Sequence, residues 1–214
     1  MARQLRIQGS GDIFHVTARG NRRQEIFRDD TDRARLIALL DAACERCKWR
    51  LHAYCLMPNH YHLVIELVEP TLSDGFQWLN GIYAQAFNRR HRMTGHLFQG
   101  RFHSAAVQSD GHLLELSRYL AYNPVRAQLC AEPADWPWSS YRGTIGISPP
   151  VRFLAVDRVL GYFGGESEVA RRRFQSFVTE ARPLGATPRR NEPRPGVRPP
   201  DVALADVVGA RVAV

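Results

Sequence analysis

The stretch HYHLVIEL, residues 60–67, alternates between two sets of side chains. One set is aromatic or apolar, and the other begins with His60 and His62. Such alternation predicts a β-strand, because successive strand residues point to opposite faces of a sheet. The two imidazoles then project from one face, where they can hold a divalent metal such as Mn, Zn or Mg with help from other ligands. The alternative is a pair of half-exposed strand histidines without a ligand.

Further strands and helices are predicted on both sides of this strand. Residues 13–19 and 49–56 alternate in the same way, and residues 25–28 predict a short additional strand. Apolar residues at helical spacing predict one helix from a cap at residues 29–31 to about Cys47, and a second from Thr71 to about His91.

This order of elements predicts an α+β fold. It resembles the ferredoxin-like or RRM-like sandwich, an antiparallel sheet with helices on one face. The other face is expected to carry polar and aromatic strand residues, namely His15, His52, Tyr54, His60 and His62. An open face of this kind is a platform for single-stranded nucleic acid.

The composition is that of a basic, soluble protein. Of the 214 residues 44% are hydrophobic, and the net charge is +8. This charge predicts a polyanionic partner, with nucleic acid the foremost candidate. Because no apolar run is long enough to span a bilayer and the N-terminus lacks the apolar block of a signal peptide, we expect no membrane partner. The expected location is the cytoplasm.

The four cysteines do not make a disulfide framework in a chain of this size. Cys44 and Cys47 have the spacing of a metal or redox motif. They also fall on the apolar stripe of the first predicted helix, so we expect both to pack in the core.

A basic cluster, Arg89-Arg90-His91-Arg92, closes the second predicted helix and is followed by GHLFQGR, residues 95–101. Cations at a helix C-terminus interact favourably with the helix dipole, which is one explanation of the cluster. The cluster and the segment after it also suit a groove for a DNA strand with one aromatic to stack on a base. The residues alone leave both explanations open.

A third helix is predicted after Asp110, which is a candidate cap, and Asn123-Pro124 is expected to end it. Glu115, Tyr119 and Asn123 are each four residues apart and therefore share one helix face. A phenol that reaches a bound metal can attack a phosphodiester, and an amide one turn away can orient or ligate the metal. Spacing alone favours a simpler role for Tyr119, at the edge of the core.

The chain changes character after this helix. Trp136 and Trp138 are expected to anchor a short turn against the domain. The predicted organisation is one domain over residues 1–145, a helical extension over residues 146–181, and a Pro- and Arg-rich, disordered tail over residues 182–214.

Five segments match, in order, the motifs of a known family. They are FHVTARGNRRQEIF (14–27), LHAYCLMPNHYHLVIE (51–66), FNRRHRMTGHLFQGRFHS (87–104), RYLAYNPVRA (118–127) and WPWSSYR (136–142). With these segments the chain resembles the HUH single-strand DNA transposases that use one tyrosine. Within them it is most similar to the REP-associated tyrosine transposases of the IS200-like group.

The resemblance implies a metal-dependent endonuclease and strand transferase that cleaves single-stranded DNA near hairpins such as REP palindromes. It implies that His60 and His62 bind Mg or Mn, with Asn123 where relatives supply a third ligand. Tyr119, four residues before the Asn of Asn-Pro, is implied as the nucleophile that leaves a 5′-phosphotyrosine and a free 3′-hydroxyl. No other cofactor is implied, and relatives include both monomers and homodimers. The resemblance also implies a bacterial protein associated with the nucleoid.

The predicted partner is thus single-stranded or hairpin DNA. The side chains predicted to contact it are mostly basic and lie in the matching segments: Arg19, Arg22, Arg23, Arg89, Arg90, Arg92, His96, Phe98, Gln99, Arg101, Arg118 and Arg126. Two other functions fit the same residues. One is a non-catalytic nucleic-acid-binding regulator, and the other is a metal-dependent phosphodiesterase that uses water. A covalent protein–DNA adduct distinguishes them, because only the tyrosine mechanism forms one.

Overall fold

The computed structural model describes residues 9–180 of the 214-residue chain. The segment predicted as a disordered tail, residues 182–214, lies outside the described residues. Four strands form an antiparallel sheet in the order β2-β3-β1-β4. The strands are β1 (Ile13–Arg19), β2 (Trp49–Met57), β3 (His60–Leu67) and β4 (His103–Ala106). Six helices accompany them: α1 (Asp30–Cys47), α2 (Leu72–His91), α3 (Asp110–Arg126), α4 (Tyr141–Thr144), α5 (Asp157–Gly161) and α6 (Glu168–Glu180).

The chain order β1-α1-β2-β3-α2-β4 is that of a ferredoxin-like fold, so the predicted α+β class is confirmed. The Asp29 side chain caps α1 by accepting from the Asp32 amide at 3.2 Å, as the predicted cap requires. Cys44 and Cys47 are both buried on α1. Burial raises the pKa of the Cys44 thiol to about 12, which keeps it protonated and agrees with the expected core role.

Helices α1 and α2 cover the sheet face that carries Tyr61. This phenol donates a hydrogen bond to Asn80 Oδ1 in α2 at 2.6 Å. Trp49 stacks on Phe76 of α2 with ring centroids 4.9 Å apart. The contact explains Gly75, because a Cβ at that position would lie 2.2 Å from the Trp49 ring.

The alternation predicted for β2 is wrong at the centre of the strand. Leu51 pairs with Ile65 and Ala53 pairs with Val64, which leaves His52 as an additional residue, a β-bulge. A bulge shifts the two-residue alternation by one, so the residues after it face the opposite way from those predicted.

The prediction that His52 and Tyr54 lie on an open sheet face is also wrong. After the bulge Tyr54 pairs with Leu63, on the side covered by α1 and α2, and it is 6% exposed. His52 is on the other side but is only 1% exposed, and its Nε2–H donates to Glu66 at 2.8 Å. Helix α3 crosses this second face over β2 and β3. Because helices cover Tyr54 on one face and His52 on the other, neither side chain can stack on a base.

The outer edge of β2 is covered by segments from the C-terminal part of the chain. The Leu56 amide donates to the Trp138 carbonyl at 2.8 Å, and the Ala155 amide donates to the Leu51 carbonyl at 2.8 Å. Trp136 and Trp138 are both buried, which confirms that they anchor their turn. The boundary near residue 145 stays a prediction.

One predicted strand is wrong, and one strand of the sheet was not predicted. Residues 25–28 are not a strand, because the amides of Ile26 and Phe27 both donate to the single carbonyl of Pro58 instead of to a ladder. The fourth strand is β4, whose four residues are too few to show an alternating pattern.

Helix α3 also differs from its prediction at both ends. Its cap is Ser109, which accepts from the His112 amide at 3.2 Å, rather than Asp110. Pro124 does not end the helix, because its ring removes one hydrogen bond without stopping the last turn. The helix ends where Gln128 takes a left-handed φ of 59° and the Leu129 amide donates to the Pro124 carbonyl at 2.9 Å.

An ion-pair network joins the start of α1 to the end of α2. Asp32 is 2% exposed and accepts from Arg90 at 2.6 Å and from His91 at 2.9 Å. Removing the carboxylate takes the acceptor from His91 and from the Arg28 amide and leaves Arg90 with Asp29 alone, so we expect Asp32→Ala to lower the free energy of unfolding by about 3 kcal/mol in urea denaturation. Asp30→Ala is the matched control, because its pair with Arg33 is more exposed and contributes about 1 kcal/mol or less. Equal effects of the two substitutions would contradict this account.

Candidate active site

His60 and His62 lie on the sheet face crossed by α3. Their ring centroids are 4.8 Å apart and the rings are nearly perpendicular, at 79°. His62 is buried and His60 is half-buried. Burial lowers the pKa of His60 to about 4, with Arg19 adding to the effect, and lowers the pKa of His62 to about 3, with His60 and His15 adding to it. Both imidazoles are therefore neutral at pH 7 and each keeps one nitrogen lone pair.

Each of these imidazoles is held through Nδ1. His60 Nδ1 lies 2.6 Å from Asn59 Oδ1, and His62 Nδ1 lies 2.9 Å from His15 Nε2. The other nitrogen of His62, Nε2, is buried and has no hydrogen-bond partner among the described residues. Buried nitrogens are nearly always paired, so an unpaired one at this position fits a missing ligand.

Tyr119 extends from α3 toward the histidine pair. Its ring centroid is 5.7 Å from that of His62 and 6.4 Å from that of His15, edge to face in both contacts. Tyr119 is 36% exposed, whereas Tyr122, three residues later, is 4% exposed in the core. The structure thus brings Tyr119 and not Tyr122 to the histidines. The guanidinium of Arg126 lies 5.3 Å from the Tyr119 ring centroid.

Asn123 is one turn beyond Tyr119 on α3 and is half-buried. Its Nδ2 is buried without a partner among the described residues. Between residues 9 and 180 no group of three or more His, Cys, Asp or Glu side chains is placed to hold a metal. A three-ligand protein site here therefore has to include another kind of ligand, such as an amide oxygen, next to the two imidazoles.

The residues predicted to bind DNA separate into two groups. Arg90 is paired with Asp29 and Asp32, and Arg118 pairs with Glu115 at 3.0 Å and lies 3.6 Å from the Phe177 ring centroid. These two guanidinium groups are engaged in contacts within the protein, so we do not propose them as DNA contacts. The remaining predicted contacts are exposed or half-buried: Arg19, Arg22, Arg23, Arg89, Arg92, His96, Phe98, Gln99, Arg101 and Arg126.

Four of the predicted residues, His96, Phe98, Gln99 and Arg101, line a cleft of about 900 Å³ between α2 and residues 95–102. The opposite wall is a row of side-chain amides on α2 that the sequence analysis did not single out: Gln77, Asn80, Gln85 and Asn88. Their signal in the sequence was a helix face that is polar and uncharged over three turns. Two backbone hydrogen bonds link residues 95–102 to the histidine site. The Gln99 amide donates to the Arg19 carbonyl at 3.0 Å, and the next residue of that strand end, Gly20, donates its amide to the carbonyl of Asn59, the neighbour of His60, at 2.8 Å.

A sequence model of the family described as "Transposase IS200 like" matches residues 11–123, which run from the start of β1 through Asn123. The chain belongs to this family. The matched residues include both histidines, Tyr119 and Asn123, whereas Arg126 lies just beyond them. Among residues 9–180 no helix is long and apolar enough to cross a membrane.

The chain is similar to one sequence relative and to two solved structures. A Haemophilus influenzae protein assigned as a REP-associated tyrosine transposase is 28% identical over an alignment of 110 residues, with coverage of 46% of this chain and 62% of that protein. The chain thus spans less than two thirds of the relative. A solved structure of a REP-associated tyrosine transposase bound to a REP hairpin has a TM-score of 0.57 at 18% identity, over 73% of this chain and 90% of that one, which shows a shared fold. A Deinococcus radiodurans crystal structure assigned as a transposase has a TM-score of 0.40 at 17% identity, over 55% of this chain and 95% of that one.

Proposed function

We propose that this IS200-like protein is a single-strand DNA endonuclease and strand transferase in which Tyr119 attacks the scissile phosphate and His60 and His62 bind a divalent metal, Mg or Mn. The substrate is DNA near a hairpin, of the REP-palindrome type bound in the related solved structure. The observation that carries the proposal is the approach of an exposed phenol to a buried imidazole with a free Nε2.

The residues at this site fit a divalent ion. His60 and His62 are neutral, share a sheet face, and are each held through Nδ1, which leaves Nε2 for a ligand bond. Asn123 would be the third ligand, through its amide oxygen. When bound, such an ion polarises the scissile phosphate and neutralises charge in the transition state.

The chain itself supplies the nucleophile and holds the DNA. As the bond between Tyr119 Oη and phosphorus forms, the bond from phosphorus to the 3′ oxygen breaks. The phenol loses a proton and the 3′ oxygen gains one, so cleavage yields a 5′-phosphotyrosine and a 3′-hydroxyl without net proton uptake. Because the phosphotyrosine conserves the energy of the phosphodiester bond, the reverse reaction joins strands without ATP.

The cleft beside α2 is the proposed path for DNA next to the site. Arg101 supplies charge for a phosphate, Phe98 supplies a ring for stacking, and the amides of α2 can hydrogen-bond base edges. The Gln99–Arg19 and Gly20–Asn59 backbone hydrogen bonds link residues 95–102 to Asn59, which holds His60. A strand that leaves the cleft and passes around this end of β1 and β3 would reach the metal pair on the other face of the sheet.

The deciding experiment is incubation of the full chain with a library of single-stranded hairpins plus Mn or Mg, followed by sequencing of the DNA that remains covalently attached. We expect adducts with cleaved hairpin flanks. Cleavage without an adduct would support the water-dependent phosphodiesterase, and hairpin binding without cleavage would support the non-catalytic regulator.

Binding is expected to favour hairpins with single-stranded flanks over blunt duplex and to weaken steeply with salt, because each neutralised phosphate releases counterions. Arg101→Ala should weaken binding of all hairpins and reduce the slope of log K against log salt by about 1. The measurement is fluorescence anisotropy at several salt concentrations. Arg152→Ala, an exposed arginine paired with Asp41 away from the cleft, is the matched control and should leave the slope unchanged. Equal affinity for blunt duplex and flanked hairpin would contradict the proposed path.

A further inference from the structure

The two proposed metal ligands are held by different kinds of partner. His60 Nδ1 faces Asn59 Oδ1, an amide oxygen that can only accept, so Nδ1 of His60 carries the proton and Nε2 keeps the lone pair. His62 Nδ1 faces His15 Nε2, and an imidazole nitrogen either donates or accepts. The hydrogen bond between the two histidines therefore has two possible directions.

Only one direction leaves His62 able to bind a metal. If His15 donates, Nδ1 of neutral His62 is the acceptor and Nε2 carries the proton, which blocks it as a ligand. If His15 accepts, Nδ1 of His62 carries the proton and the unpartnered Nε2 presents a lone pair.

We propose that His15 is a positioning residue that accepts the Nδ1 proton of His62 and so fixes the tautomer and the ring orientation in which His62 Nε2 binds the metal. This inference rests on the metal site of the proposed function. Second partners of this kind commonly orient metal-binding imidazoles, and their loss lowers metal affinity or activity.

The packing of the two rings supports this role. The ring planes of His15 and His62 are 18° from parallel with centroids 5.2 Å apart, so the two imidazoles lie edge to edge on the neighbouring strands β1 and β3. A ring held in this plane by a hydrogen bond of 2.9 Å has little freedom to rotate about χ2. Tyr119 lies against both rings, so the orientation of His62 also sets the space between the metal and the nucleophile.

The choice of an imidazole rather than a carboxylate has an electrostatic reason. Among the described residues, neither His15 nor His62 forms a hydrogen bond or ion pair with Asp or Glu. A carboxylate at this position would place a negative charge close to the phosphodiester that has to enter the site. A neutral imidazole holds Nδ1 without repelling the DNA.

The test compares three variants of the full chain. His15→Phe keeps an aromatic ring but removes the acceptor, and His15→Gln restores an acceptor at about the same reach. Thr17→Val is the matched control, because Thr17 lies on the same strand face opposite His62 in the sheet register. Titration calorimetry with Mn²⁺ alone should show about 10- to 100-fold weaker binding for His15→Phe, recovery in His15→Gln, and no change in Thr17→Val.

The second readout is the tautomer of His62 in the metal-free protein, measured by ¹⁵N NMR of the imidazole ring. We expect the proton on Nδ1 in the wild type and in His15→Gln. A proton on Nε2 in the wild type, or wild-type Mn²⁺ affinity in His15→Phe, would overturn the inference. The wild-type tautomer decides the matter even if His15→Phe does not fold.

His62→Asn separates this inference from the proposed function. If that variant loses Mn²⁺ binding while His15→Phe keeps it, the metal site stands and only the role of His15 fails. If neither variant changes Mn²⁺ binding, the metal site itself is in the wrong place.

Discussion

Tyr119→Phe is expected to abolish the covalent protein–DNA adduct and to lower cleavage by about 10⁴-fold or more, as loss of a nucleophile does in other covalent mechanisms. The substitution removes only a hydroxyl group. Tyr119 is 36% exposed and its ring packs edge to face against His15 and His62, contacts that phenylalanine retains. Hairpin and metal affinities should therefore stay at wild-type values.

Tyr122→Phe is the matched control for this prediction. Tyr122 lies on the same helix but is 4% exposed, on the side that packs into the core. Loss of its hydroxyl should cost about 1 kcal/mol of stability at most and leave adduct formation intact. Mass spectrometry of the adduct peptide identifies the modified residue, and a phosphotyrosine at Tyr122 would overturn the assignment.

His60→Ala and His62→Ala are each expected to abolish cleavage and to leave hairpin binding largely intact. Each substitution removes one of the two imidazoles that share the sheet face, and a divalent ion held by the remaining one binds much more weakly. The predicted metal dependence should appear as loss of cleavage in chelator and recovery on addition of Mn or Mg.

The two substitutions should differ in their effect on stability. His60 is half-buried, so its loss should cost little, whereas His62 is 6% exposed and leaves a small cavity that should cost about 1 to 2 kcal/mol. His112→Ala, which removes an exposed histidine of α3, is the control for cleavage and should leave it unchanged; loss of the hydrogen bond from the Gln108 amide to its Nδ1 should cost about 1 kcal/mol at most. Full cleavage by either variant in metal-limited buffer would exclude the pair as metal ligands.

Elements with a strong local pattern could be predicted from the sequence. The alternation over residues 60–67 gives β3, and Asp29 with the apolar stripe after it gives α1. Helical spacing also distinguishes Tyr119 from Tyr122, since Tyr119 is in line with Asn123 and Tyr122 is rotated by about 60° around the helix, an offset that takes it into the core.

The features that sequence reasoning missed depend on contacts between distant residues. The bulge at His52 exists only relative to the partner strand, and no pattern within β2 marks it. The covering of His52 by α3 requires that a helix more than fifty residues later fold back across the sheet. The hydrogen bond between His15 and His62 joins residues 47 positions apart, so it could not be inferred from either strand alone.

The contacts along β2 also bear on how the protein stays dispersed in solution. A strand at the border of a sheet offers its amides and carbonyls to any other extended chain, and this is a common start of aggregation. Here Trp138 and Ala155 occupy that border by bonding Leu56 and Leu51, and both come from sequence beyond α3. The opposite border is β4, which is only four residues long and offers a short ladder. The segments around Trp138 and Ala155 thus occupy backbone groups of β2 that could otherwise pair with a strand of another molecule.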